Sequence, residues 1–262
     1  MILLAVALMG VSPTAMAKKK TLKVSTELKG AETQKIDFVV DKEGYIQIFD
    51  GKTTKGWRSY GKDYLAPRWT VDDGCLHFKR GQGEGGDIIF AHKFKNFILE
   101  LEWKIQQGGN SGIFYLAQEV MRPDGGLEAI FTSAPECQVL DNENHPDAKL
   151  GVDGNRKSSS LYDMIPAKPQ NANPWGQWNK VKIVVKDGKV EHWQNDVKVL
   201  SYELWTPEWT ELLQNSKFSE KAWPSAFQLL NNCGGENHEG LIGFQDHGDE
   251  VWFRNIRVKV LK

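Results

Sequence analysis

Phe97-Ile98-Leu99-Glu100-Leu101-Glu102-Trp103-Lys104-Ile105 decides the fold. Phe97, Leu99, Leu101, Trp103 and Ile105 fall on one side of an extended chain. Glu100, Glu102 and Lys104 fall on the other, the period-two signature of a half-buried strand. The pattern recurs along the chain. Val181, Ile183 and Val185 alternate with lysines before the turn Asp187-Gly188, and Ile256, Val258 and Val260 alternate with Arg257 and Lys259. Trp69-Thr70-Val71 reaches the turn Asp72-Asp73-Gly74, and Cys75-Leu76-His77-Phe78 resumes the strand. Many strands with Gly-rich turns and few helices predict an all-β sandwich or jelly roll. One segment breaks the pattern. Trp205, Trp209, Leu212 and Leu213 have helical spacing, Thr206 suits an N-cap and Pro207 the first turn. This predicts a helix over about 207–216, in an insertion ending near Pro224. A lid over a groove and a helix packed on the sandwich edge both fit.

The chain has 262 residues and a net charge of −1. Such a length buries a full core without staples, and such a charge argues against nucleic acid as the main partner. Ile2 to Val11 is a short apolar run, followed by Ala15-Met16-Ala17. A hydrophobic region with an A-x-A site reads as a secretory signal peptide over residues 1–17. The run is too short to span a bilayer, and no later segment is long enough. The expectation is a soluble exported protein, periplasmic or secreted, with a polar N-terminal extension over 18–43 and the folded domain over 44–262. Cys75, Cys137 and Cys233 are odd in number, which excludes full pairing within one chain. No C-x-x-C spacing exists, which argues against structural zinc.

Three polar clusters interrupt the apolar strands: Asn110-Ser111-Gly112, Glu136-Cys137-Gln138-Val139-Leu140-Asp141 and Gln245-Asp246-His247-Gly248. Strands carry such groups where one sheet face is wet or does chemistry. Alternation sends Cys137 and Val139 to the core and leaves Glu136 and Gln138 on the other face. Gln245 and His247 also share a face. If the strands are neighbours, a carboxylate, amides and an imidazole converge on one polar groove suited to a sugar-like substrate. Glu102 could join them, although a solvated charge or an ion pair explains it better, because charged residues normally occupy such a face. An imidazole titrates near working pH and can give or take a proton. His145 stands in a loop with Asp141, Asn142 and Asp147 that could hold a divalent cation through oxygen ligands, but the spacing matches no EF-hand, and an Asx-rich turn explains it better. No motif demands a cofactor or a metal. Ten tryptophans are available for core packing and sugar stacking. Trp57, Trp69 and Trp103 read as core. Trp175, in the loop Pro174-Trp175-Gly176, reads as a groove residue. Tyr162-Asp163 brings a phenol and a carboxylate toward the same mouth.

Several stretches together carry a family resemblance. They are Phe49-Asp50-Gly51-Lys52, Trp69 to Leu76, Glu102-Trp103-Lys104, Gly109 to Ile113, Glu136 to Asp141, Leu161-Tyr162-Asp163, Gly243 to Gly248 and Phe253-Arg254-Asn255-Ile256. In order and spacing the chain resembles the 3-keto-disaccharide hydrolase domain family over about 45–262. The resemblance implies a concanavalin A-like, laminarinase-like jelly roll of two antiparallel sheets. It also implies cleavage of glycosides already oxidised at C3. A C3 ketone acidifies the C2 proton, so a base can remove it, the C1 substituent can leave, and water can add. An ordinary glycosidase would instead need two carboxyl groups flanking C1. On this reading Glu136 or His247 is the base. Asn110, Gln138, Asp141, Tyr162, Trp175 and Gln245 bind the sugar. A non-catalytic sugar-binding module and an ordinary glucan hydrolase are the competing readings.

Overall fold

The computed structural model describes Thr26–Glu27 and residues 40–262. The expected signal peptide, and most of the 18–43 extension, lie outside the described residues. Two antiparallel sheets form a jelly-roll sandwich of concanavalin A type. The larger runs in the order Val197–Glu203, Lys189–Gln194, Asn179–Lys186, Phe97–Ile105, Val251–Val260, Cys75–Phe78 and Trp69–Asp72, with Ile46–Gln47 also pairing to Val251–Val260. The smaller runs Glu136–Leu140, Asn110–Ala117, Gly240–Phe244, Ile88–Phe94 and Trp57–Ser59.

The alternation of Phe97–Ile105 is realised residue by residue. Phe97, Leu99, Leu101, Trp103 and Ile105 are buried, and the residues between them are half-exposed. They meet Ile113, Tyr115, Cys137, Val139 and Phe244 of the smaller sheet in one core. The Phe244 ring lies parallel to Phe253 of the facing sheet at 4.0 Å, and Trp57 stacks on Phe244 at 5.0 Å. Such contacts add to the area burial of large rings. Trp57, Trp69 and Trp103 are core residues, and all three cysteines are buried thiols.

On the solvent side of the larger sheet, Glu100 pairs with Arg257 at 2.8 Å and Glu102 with Arg254 at 2.7 Å. The sheet partition therefore corrects the idea that Glu102 joins Glu136. The two carboxylates belong to outer faces of opposite sheets, and Glu102 is an ion-pair member.

The helical insertion holds a helix over Pro207–Gln214, capped by Thr206, whose hydroxyl accepts from the Trp209 amide at 3.2 Å. Pro224 does not close the insertion. It starts a second helix, Pro224–Asn231, as a proline with preset φ readily does. Trp209 stacks on Tyr202 and donates to the Leu230 carbonyl, so the helices pack on the sandwich edge.

Candidate active site

The outer face of the smaller sheet is divided in two. One half is apolar: Ile89, Phe114, Ala117 and Leu241 are covered by Ile130 and Ala134. The other half is polar and is built from the row Gln138, Gly112, Gln245 across three neighbouring strands, with Glu136 beside it. Strand register places Glu136 opposite Phe114 and Gln138 opposite Gly112. Gly112 is required here. A Cβ at this position would lie 2.3 Å from Glu136 Oε1, so the Glu136 carboxyl occupies the space a side chain would fill.

The free edge of Glu136–Leu140 is covered by residues 158–162. The Ser159 amide donates to the Gln138 carbonyl, the Gln138 amide to Ser160 and the Tyr162 amide to the Glu136 carbonyl. This pairing sets Tyr162 next to Glu136. The Tyr162 hydroxyl donates to Asp147 Oδ2 at 2.9 Å. Arg156 bridges Asp147 and Asp163, at 2.9 and 2.6 Å. Asp163 also accepts the Lys217 amide at 2.8 Å, which fixes the loop after the first helix over the site. The Lys217 ammonium lies 4.2 Å from the Tyr162 ring centre.

Electrostatics follow from burial. Glu136 is pushed up to about 8 by burial, with Asp87 and Asp147 adding to the rise and Lys217 opposing it. Asp87, which precedes strand Ile88–Phe94, is pushed up to about 7, again by burial, while its carboxylate accepts the Asp246 amide at 2.9 Å. Burial lowers the Lys217 ammonium, and neighbouring Glu136 and Asp163 counteract it. Tyr162 is raised by burial and then by Asp147. A carboxyl near 8 is protonated or ionised according to its partners at working pH, which suits proton transfer.

At the rim, one ligand atom each of His145, His247 and Asp249 lies within 4.8 Å of the others. Asp249 is oriented by the Asn110 amide and by Gln106 Nε2, both at 3.1 Å. The trio has the donor chemistry for a divalent cation. His145 Nδ1, however, accepts the Asp147 amide at 3.1 Å, so its other nitrogen carries the proton while the ring is neutral. A cation bound there would break that hydrogen bond, at Nδ1 by displacing the amide or at Nε2 by moving the ring proton to Nδ1. With the bond in place, His145 is a proton donor facing His247, their ring centres 6.1 Å apart.

The expected residues divide by what their atoms already do. Glu136, Tyr162 and Gln245 stand on or beside one polar face, and His247 reaches it through His145 and Asp147. Asn110 is buried, with its side-chain oxygen lacking a hydrogen-bond partner among the described residues. Gln138 is on the polar face but buried, its oxygen accepting the Val139 amide and its Nε2 donating to the Arg156 carbonyl at 3.4 Å. Asp141 accepts from the Gly108, Glu143 and Asn144 amides and from Asn144 Nδ2, so its carboxylate holds a turn. Trp175 is exposed, in a loop tied by the Gly176 amide to Ile105. Asp87 and Lys217 complete the face and were not singled out in the sequence. A hollow of about 510 Å³ on the other sheet is lined in part by Glu100, Glu102, Lys182, Trp193, Asp196 and Arg257, but its three carboxylates are already paired, Glu100 and Glu102 with arginines and Asp196 with Lys180.

A β-sandwich that gathers acids, imidazoles, a phenol and an amine on one outer face is of the class that acts on small polar substrates. Its family is more particular. Residues 44–259 match the 3-keto-alpha-glucoside-1,2-lyase-like domain, and the chain belongs to that family. It is 63% identical over 255 residues to a 3-keto-disaccharide hydrolase of Bacteroides thetaiotaomicron, covering 94% of this chain and 88% of that protein. A glycosyl hydrolase candidate from Parabacteroides distasonis superposes with a TM-score of 0.70 at 31% identity, covering 87% of this chain and all of the other. A second from the same organism, at 24% identity and TM-score 0.56, covers 78% of this chain and 99% of its own, and shares the fold.

Proposed function

We propose that this glycoside hydrolase-type enzyme acts on glycosides bearing a ketone at C3. Glu136 removes the C2 proton, the C1 substituent leaves as the double bond forms, and water then adds to the unsaturated sugar. The supporting observation is the Glu136 carboxyl itself. It is buried on a polar face, laid over Gly112, and held near working pH by the opposition of burial and Lys217. The homology to a 3-keto-disaccharide hydrolase supports the substrate class. A base is most effective when its pKa lies near the operating pH. His247, paired with the proton-bearing His145, returns a proton to the leaving oxygen. Tyr162 and Gln245 line the sugar's path.

One observation favours an ordinary hydrolase instead: Asp87 and Glu136 are two raised carboxyls, and the charge of Asp87 adds to the rise of Glu136. Substrate separates the readings. The elimination reading predicts release of the C1 substituent from a 3-keto-glucoside and none from the same glucoside unoxidised. It also predicts solvent deuterium at C2 of the product in D2O. Equal release from both sugars without C2 exchange refutes it. Replacing Glu136 by Gln should lower turnover by about 10²–10⁴-fold.

A further inference from the structure

Lys217 enters the site from the helical insertion, and its surroundings are unusual for a lysine. Its amide is gripped by Asp163, and the next residue, Phe218, is buried with its own amide on the Ser216 hydroxyl. The loop on both sides of Lys217 is therefore fixed. The ammonium lies 4.2 Å from the ring centre of Tyr162, 5.0 Å from that of Phe218 and 5.7 Å from that of Phe131. These rings come from three separate segments and form a cage of aromatic faces, which attract a cation. Among the described residues, no carboxylate lies within ion-pair distance of the Lys217 nitrogen. The carboxyl that acts on it most strongly is Glu136. A caged ammonium keeps up to three N–H donors for a ligand.

We infer that Lys217 is a catalytic residue for the elimination, the cation that stabilises negative charge on the C3 carbonyl oxygen as the C2 proton leaves. The inference rests on the reaction proposed above. Its logic is charge timing. Before transfer, the Glu136 carboxylate offsets the Lys217 charge. The C–H bond at C2 breaks, its proton goes to Glu136 and its electron pair moves toward the carbonyl oxygen. The neutralised carboxyl no longer offsets the ammonium, so the cation's field is greatest when the enolate forms. A preorganised donor aimed at developing charge, in a partly dry site, is an effective source of rate. The later return of that electron pair expels the C1 oxygen, which takes a proton. The preference for a ketone would then reside in an insertion and not in the sandwich itself.

The test compares wild type, Lys217→Met and Lys217→Cys with a 3-keto-glucoside in D2O, reading kcat, KM and deuterium at C2. The native cysteines are buried, so Lys217→Cys can be aminoethylated selectively to restore an amine. Lys217→Met should lose about 10²–10³-fold in kcat, with KM changed only a few-fold and C2 exchange lost in parallel. Aminoethylation of Lys217→Cys should restore at least a tenth of the rate. Several results overturn the assignment. One is a Lys217→Met enzyme that keeps wild-type kcat and exchange. Another is an aminoethylated protein that melts like wild type yet stays inactive. A third is a cyanoborohydride-trapped sugar on Lys217, which would make the amine a nucleophile. A wild type that neither releases the C1 substituent nor exchanges C2 refutes the elimination reading itself, and Lys217's role falls with it.

Discussion

Replacing Glu136 by Gln should destroy activity and strengthen the fold, and the gain should depend on pH in a defined direction. The Glu136 carboxyl is raised from 4.5 to about 8 in the folded protein, chiefly by burial. Between those values the folded state binds the proton more tightly than the unfolded state. Wild-type stability is therefore fully present below about 4.5, declines as pH rises toward about 8, and levels off above it. Each pH unit in the window is worth at most about 1.4 kcal/mol, giving a ceiling of about 5 kcal/mol. Relaxation and water entry around an ionised buried group reduce such ceilings, and about 2–3 kcal/mol should remain. For a domain of this size that is a melting shift of about 5–10 °C. Glutamine has nearly the shape of the protonated acid and does not titrate. At pH 5 both proteins place a neutral group beside the Lys217 cation and should melt together. At pH 8.5 the variant should melt higher. Thermal melts at half-unit steps from pH 5 to 9 measure the divergence. Parallel curves would refute the claim that this carboxyl is held buried against its charge.

The remaining predictions concern packing and pH. For wild type, kcat/KM should rise up to tenfold per pH unit below about pH 8 and flatten above it, because the base must be ionised. A rising limb near pH 4–5 would assign the proton to an unperturbed acid. Gly112→Ala puts a methyl group 2.3 Å from Glu136 Oε1, so the flexible carboxyl must move away. Turnover should drop about 10²-fold, as ångström-scale misplacement does, while the fold persists by circular dichroism; unchanged turnover would show that the carboxyl is not positioned there. Glu119 and Arg58 form a buried bidentate pair at 2.5 and 2.6 Å. Glu119→Ala should cost about 3–5 kcal/mol in urea unfolding by stranding the guanidinium; a loss below about 1 kcal/mol would mean that water or a carbonyl replaces the carboxylate.

The sheets and half of the site were legible because alternation is a strong signal. It assigned Phe97–Ile105, and it separated Glu136 from Cys137 correctly. It could not say which sheet a strand joins, which is why Glu102 stood as a site candidate although it lies on the other sheet. Residue type also does not reveal how a polar group spends its atoms. Gln138 lies on the expected strand, yet its oxygen is taken by the next amide, and Asp141 is consumed by a turn. Asp87 was invisible because it abuts Ile88-Ile89-Phe90, an apolar run with no alternation to assign its face. Lys217 was hidden differently. In a charged, helical insertion, Ser216-Lys217-Phe218 reads as a surface lysine. Only the adjacent Phe218, too large to leave in water, hinted that the loop turns inward.

A proton-transfer site needs its own groups to titrate and its supports not to, and the core beneath this one meets that condition. His192 Nδ1 lies 2.9 Å from the Ser159 carbonyl, which can only accept, so Nδ1 carries the proton. Nε2 must then accept, and the Tyr115 hydroxyl donates to it at 2.7 Å. With its own proton committed, Tyr115 accepts from Tyr202. Every hydrogen in the chain Tyr202–Tyr115–His192–Ser159 thus has one direction, and a second proton on His192 would leave two donors facing each other. Burial holds His192 down to about 4, and both phenols are raised. The network keeps one protonation state across the range in which Glu136 changes. Ser159 in turn pairs with Gln138 and precedes Tyr162, so this unchanging chain fixes the segment that borders Glu136. A pH response near 8 therefore belongs to the groups of the polar face, the carboxyl over Gly112 among them, and not to this network beneath them.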